Sequence, residues 1–118
     1  MSLRVALRPL LAIDGLVALL LLTADGLPVE MFGYGVRAEK LAAEVAGVTA
    51  VTRRAFGELG MGQPSGQRIE LEGHNVHIYP IADYYLALVT DRQNAHFSAP
   101  LIQESALEPL RLELRGES

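Results

Sequence analysis

Apolar positions along the chain follow two rhythms, the two-residue alternation of strands and the three- to four-residue recurrence of helices. Leu16 to Leu22 is apolar at every position, which predicts a strand covered on both sides in the middle of a sheet. Asp25-Gly26 supplies a tight turn, and Leu27 to Phe32 returns as a second strand. Pro28 cannot donate to a ladder, so this second strand belongs at an edge. Arg68 to Glu72 alternates strictly, with Ile69 and Leu71 inward and the charges outward. Val76 to Ile81, where Val76 and Ile78 share a face, and Tyr84 to Val89, apolar on both faces, complete a meander. Setting the two doubly apolar strands side by side gives a five-stranded antiparallel sheet in the order 2-1-5-4-3. The third strand then lies at the other edge with an open ladder.

Helical spacing governs the rest. Leu3, Leu7, Leu10 and Leu11 predict a short first helix over about 3–13, broken by Pro9 and ended by Asp14-Gly15. Val36 to Leu59 predicts a long helix after the Gly33–Gly35 break. One stripe on it, Leu41, Val45, Val48, Thr52, Phe56 and Leu59, has the steps of a face packed on a sheet. Beside it runs a stripe of small residues, Ala43, Ala46, Gly47, Ala50 and Gly57. A helix that needs cover on two sides exceeds what one chain's core supplies, so one side is assigned to a partner. Gly60 to Gly66 is a breaker-rich loop and Arg92 to Phe97 another. Ser98-Ala99-Pro100 reads as a helix start. Pro109 should end or kink that helix, and Leu110 to Leu114 fits either helix or extended chain. Arg115 to Ser118 should fray.

Composition narrows the function. At 118 residues, half of them hydrophobic, the chain suits one domain spanning 1–118. A net charge of −4 with no basic face argues against nucleic acid. The absence of cysteine removes disulfides, thiolate metal sites and a cysteine nucleophile, and fits a reducing cytoplasm. The longest apolar run has seven residues, against about 20 for a membrane-crossing helix. Arg4 and Arg8 before an apolar stretch imitate a signal peptide, but Asp14 and Gly15 interrupt it. The chain is therefore expected in the cytoplasm without membrane insertion.

No chemistry converges. His74 and His77, three apart across a turn and strand, point to different faces and are expected as turn and surface histidines. His96 stands alone in its loop. Asp14, Asp25 and Asp83 sit at turns, where a carboxylate accepts from nearby backbone N–H groups. Gly33-Tyr34-Gly35 lacks the third glycine of a dinucleotide fingerprint, with Ala38 in its place, and Gly60–Gly66 lacks a Gly-Lys-Ser/Thr ending. Ser65, Ser98 and Ser105 have no nucleophile-elbow setting. Neither an enzyme nor a cofactor or metal site is expected.

Ile13-Asp14-Gly15 leading into the Leu16–Leu22 strand, the Asp25-Gly26 hairpin and the alanine-rich Leu41–Gly47 resemble the roadblock/dynein-light-chain family over about residues 3–110. The resemblance implies an α+β, profilin-like sandwich with the long helix on one face and the terminal helices on the other. It implies a homodimer whose second helices pair antiparallel and whose third strands meet edge to edge. The interface would draw on Ala43, Ala46, Gly47, Ala50, Gly57, Arg68, Glu70 and Glu72. Bacterial members, the MglB-type regulators, bind small Ras-like GTPases, while eukaryotic relatives serve as dynein light chains and scaffolds. By that analogy the chain is a non-enzymatic GTPase regulator or scaffold, with Arg37, Lys40, Arg53, Arg54 and Phe56 as partner-binding candidates. The alternatives are an adaptor indifferent to nucleotide and a small-ligand sensor.

Overall fold

The computed structural model describes residues 3–33, 37–91 and 104–115. Its strands are β1 (Leu16–Thr23), β2 (Pro28–Gly33), β3 (Gln67–Glu70), β4 (His74–Ile81) and β5 (Tyr84–Asp91). They form one sheet in the order β2-β1-β5-β4-β3, each pair antiparallel. The two doubly apolar segments are neighbours at the centre, with Leu19 opposite Leu88 and Leu21 opposite Leu86. Both faces of β1 and β5 are buried because a helical layer covers each side.

On one side lie α1 (Leu3–Leu7), a 3₁₀ turn over Arg8–Ala12 and α3 (Glu104–Leu114). Pro9 cannot supply the N–H an α-helix needs, and it stands in the first turn of the 3₁₀ segment. Leu7, Leu10, Leu107 and Leu110 pack on Leu19, Leu21, Ile81, Leu86 and Leu88. Pro109 lies inside α3, so of the two expected outcomes it does not end the helix, and 110–114 is helix. Its missing hydrogen bond and ring clash cost about 3 kcal/mol. Burial of Leu107 and Leu110 contributes about 1.5–3 kcal/mol each and offsets that. The expected helix start at Ser98-Ala99-Pro100 and the 92–97 loop lie outside the described residues, as do Tyr34, Gly35, Val36, His96 and 116–118.

The other side carries α2 (Ala38–Glu58). Its buried residues are Ala42, Val45 and Thr49, with Ala38, Leu41 and Ala46 packed partly against Leu20, Leu22, Ile78 and Ala87. The expected core stripe is therefore corrected. Val48, Phe56 and Leu59 are exposed, at 37%, 43% and 68%. Small side chains face the sheet because α2 lies close to it, and the Thr49 hydroxyl is satisfied by donating to the Ala46 carbonyl at 2.9 Å.

Two glycines are dictated by close approach. Gly26 has φ +94°, and a Cβ there would stand 3.3 Å from the Ala46 side chain and 3.6 Å from the Ala43 backbone. The tip of the β1–β2 hairpin thus rests on α2. Gly33, at φ +134°, would drive a Cβ to 2.4 Å from the Val17 carbonyl, beside a bulge in β1.

Candidate interaction surface

Helix α2 has three exposures, and the sequence orders them. The hairpin touches it at Ala42, Ala43 and Ala46, so residues on that flank face β2. On the opposite flank the Thr52 hydroxyl donates to the Gln67 side chain of β3 at 3.3 Å. Leu41, Val48 and Ala55 recur on this β3-facing flank at seven-residue steps, with Glu44 and Val51 between them. Apart from half-buried Leu41, these positions are exposed, Val51 at 56%. Large aliphatics at three- and four-residue spacing form the kind of seam that packs against a second helix.

The expected small-residue stripe divides. Ala46 is half-buried under the hairpin, and Ala43 lies beside the hairpin tip, so the chain's own packing uses part of it. Ala50 and Gly57 are exposed, and so is Gly47, where a Cβ would meet nothing within 4 Å. The stripe and the aliphatic seam therefore lie on different sides of the helix.

Beyond the seam runs the outer edge of β3. Arg68 and Glu70 are exposed and bridge each other at 3.0 Å; Glu72 lies in the turn that follows. Leu71, expected inward, is 49% exposed, because β3 ends at Glu70 and the chain bends there. Between β3 and the end of α2 lies a groove of about 460 Å³, lined by Thr52, Phe56, Met61 and Gln67 among others. Phe56 and Met61, the latter 71% exposed, give it an apolar wall.

The basic candidates separate too. Arg37, in extended conformation, is the N-cap of α2, and Lys40 and Arg54 are exposed along the helix. Arg53 instead turns back, its guanidinium donating to Gln63 at 2.9 Å and to the Tyr85 hydroxyl at 3.2 Å. There it borders a cavity of about 360 Å³ with Asp83, Tyr84 and Pro64.

One titratable group departs from expectation. His77 is fully buried, not a surface residue, whereas His74 is exposed. Burial, with a smaller contribution from the Arg68 charge, lowers the His77 pKa to about 4. Burial raises that of Tyr79. Alternation explains the placement, since His77 shares the helix-covered face with Tyr79 and Ile81. Among the described residues no group of three or more His, Cys, Asp or Glu side chains is placed to hold a metal. No helix there is long and apolar enough to cross a membrane.

A 2-1-5-4-3 sheet with one long helix on one face and terminal helices on the other is a roadblock-type sandwich. The chain belongs to the Roadblock/LC7 domain family, whose model matches residues 4–91. Among solved structures it resembles Myxococcus xanthus MglB, with a TM-score of 0.83 at 15% identity over 97% of this chain and 95% of that one. The gliding protein MglB of Thermus thermophilus gives 0.77 at 21% identity, over 92% and 85%. A Roadblock/LC7 domain from Streptomyces avermitilis gives 0.73 at 20% identity, over 90% and 88%. No curated protein matches the sequence.

Proposed function

We propose that this chain is a homodimeric, non-enzymatic regulator or scaffold of a small Ras-like GTPase. The observation that carries the dimer is the exposed aliphatic seam of α2, Val48, Val51 and Ala55, on the flank beside the open edge of β3. A second copy packed antiparallel, centred between Val48 and Val51, covers that seam on both molecules. The same arrangement sets Glu44 beside the partner's Arg54 and Lys40 beside the partner's Glu58, so the charges flanking the seam complement one another about the two-fold axis. The helix contact thereby falls on the aliphatic seam and not on the small-residue stripe.

Pairing along the seam leaves the outer face of α2 open, with Arg37 at its start and Lys40 and Arg54 on its border, where they also meet the partner's Glu58 and Glu44. The GTPase assignment rests on family membership and on the MglB structures among the fold neighbours. MglB itself is also seen in a tetrameric arrangement, which agrees with a protein that works by association.

Light scattering of the purified chain tests the assembly, with a mass near twice 12.8 kDa expected. Pull-down of Ras-like GTPases from the host, loaded with GDP or a GTP analogue, tests the partner. Tighter binding to one nucleotide state supports regulation. Equal binding reduces the function to an adaptor, and no binding in either state refutes the GTPase reading.

A further inference from the structure

We propose that the cavity between the C-terminal half of α2 and the β4–β5 turn binds a small zwitterionic acid of the α-amino-acid class, with an apolar side chain. The inference goes beyond the GTPase reading and needs neither that partner nor the dimer. It begins from Arg53. Four residues after the sheet-facing Thr49, Arg53 leaves the same side of α2, away from the Val48 and Val51 seam. Its guanidinium is held in place by donating to the Gln63 side chain at 2.9 Å and to the Tyr85 hydroxyl at 3.2 Å. Tyr85 is buried beneath the helix, so this anchor belongs to the core. A surface arginine normally moves freely in solvent, whereas this one is set beside a cavity of about 360 Å³.

The tethered charge is not neutralised. Both of its acceptors are uncharged, and no carboxylate pairs with Arg53 among the described residues. Two bonds leave most of the N–H donors of a guanidinium unused. The Tyr85 O–H and the Gln63 amide N–H groups also lack an acceptor among the described residues. Donors from all three side chains therefore line one cavity. An arginine fork takes a carboxylate through paired, charge-assisted bonds, and an arginine already held in place loses little freedom on binding.

A second charge narrows the class. Asp83, in the β4–β5 turn, borders the same cavity and forms no ion pair with Arg53. A phosphate ester would bring more negative charge to a site with one cation and one opposing carboxylate. An acid that also carries an ammonium group satisfies both, its carboxylate at Arg53 and its ammonium at Asp83. Pro64, Pro80 and Tyr84 add apolar wall for a side chain. Ligand pockets span about 300–1,000 Å³, and a cavity at the lower end suits a single amino acid.

Isothermal titration calorimetry on the full chain, with the standard L-α-amino acids added one at a time, tests the site. At least one apolar amino acid should bind saturably with a Kd on the order of 1 mM or tighter. No saturable binding by any apolar amino acid overturns the proposal. The methyl ester of the binder lacks the carboxylate charge and its N-acetyl derivative lacks the ammonium, so each should bind at least about tenfold more weakly. An ester or N-acetyl derivative that binds equally well overturns the zwitterion. Asp83→Asn, in an exposed turn, should abolish the preference for the free amine, and a retained preference overturns the role of Asp83. Arg53→Lys keeps the charge without the fork and should lose at least about tenfold in affinity. Unchanged affinity places the binding elsewhere and overturns the site. Inorganic phosphate should not compete, and its displacement of the amino acid at equal concentration overturns the class in favour of a simple anion. The titration contains no GTPase, so its outcome is separate from that of the pull-down.

Discussion

Ala82 has φ +53° in the two-residue loop that joins β4 to β5 between the paired residues Ile81 and Tyr84. A side chain in that region costs about 1–2 kcal/mol, against about 0.5–1 kcal/mol for the greater freedom of an unfolded glycine. Ala82→Gly should therefore stabilise the chain by about 0.5 kcal/mol, read as a higher urea midpoint with an unchanged slope. Gly33 gives the opposite result. Gly33→Ala forces a Cβ against the Val17 carbonyl at 2.4 Å and should cost at least about 2 kcal/mol, measured in the same titration. His77 sets an acid limit. The unfolded imidazole binds a proton near pH 6.5, whereas the folded one binds it only near 4. Between those values the unfolded chain holds more protons, so acid favours unfolding. The contribution is complete above pH 6.5 and falls by about 3 kcal/mol as the pH approaches 4. His77→Gln should flatten that part of the stability curve, and an unchanged slope would assign the acid sensitivity elsewhere.

At the scale of elements, most of the architecture is legible in the sequence, and the departures share a cause. Strand order follows from two apolar runs and one proline, because burial on both faces places a strand at the centre and a missing N–H places one at an edge. The same logic fails on α2. Large apolar side chains suggest the inward face, yet contact with the sheet selects Ala42 and Thr49 and leaves Val48 outside. Periodicity identifies a helix face but not what covers it, so an exposed aliphatic seam reads like core. Leu71 misleads because β3 ends at Glu70, one residue short of it. His77 misleads because proximity to a turn outweighs its strand phase. Pro109 points to a helix end only when read locally, without the leucines that hold α3 in place. Pro109→Ala should restore the missing hydrogen bond and raise stability by about 2 kcal/mol, seen as a higher thermal midpoint.

For the whole molecule, the decisive comparison is between two sides of one helix. Val48→Asp puts a charge in the proposed seam, where burying it unpaired costs about 3–5 kcal/mol, and should yield monomers at micromolar concentration. Ala50→Asp, on the small-residue stripe, should leave the dimer assembled. Sedimentation of the two variants distinguishes the sides, and dissociation by Ala50→Asp alone would return the contact to the stripe. The proposed GTPase binding is not legible in any single residue, because a regulator of another protein's site would need no nucleotide-contacting motif of its own. Resemblance alone indicates it.

The far edge of the sheet explains why the edge-to-edge joining that the family resemblance implies would stop at two. β2 opens with Pro28, which withholds a donor, and its extra residue Val29 shifts the register against β1 between Leu21 and Leu22. Arg4 reaches over from α1 to bind Glu30 at 3.3 Å and to lie 5.3 Å from the centre of the Phe32 ring. A proline, a kinked ladder and a charged clasp are features that discourage further strand addition. Two sheets joined through β3 would end in this blunted border at both extremities, and such an assembly would close as a finite particle instead of growing into a fibre.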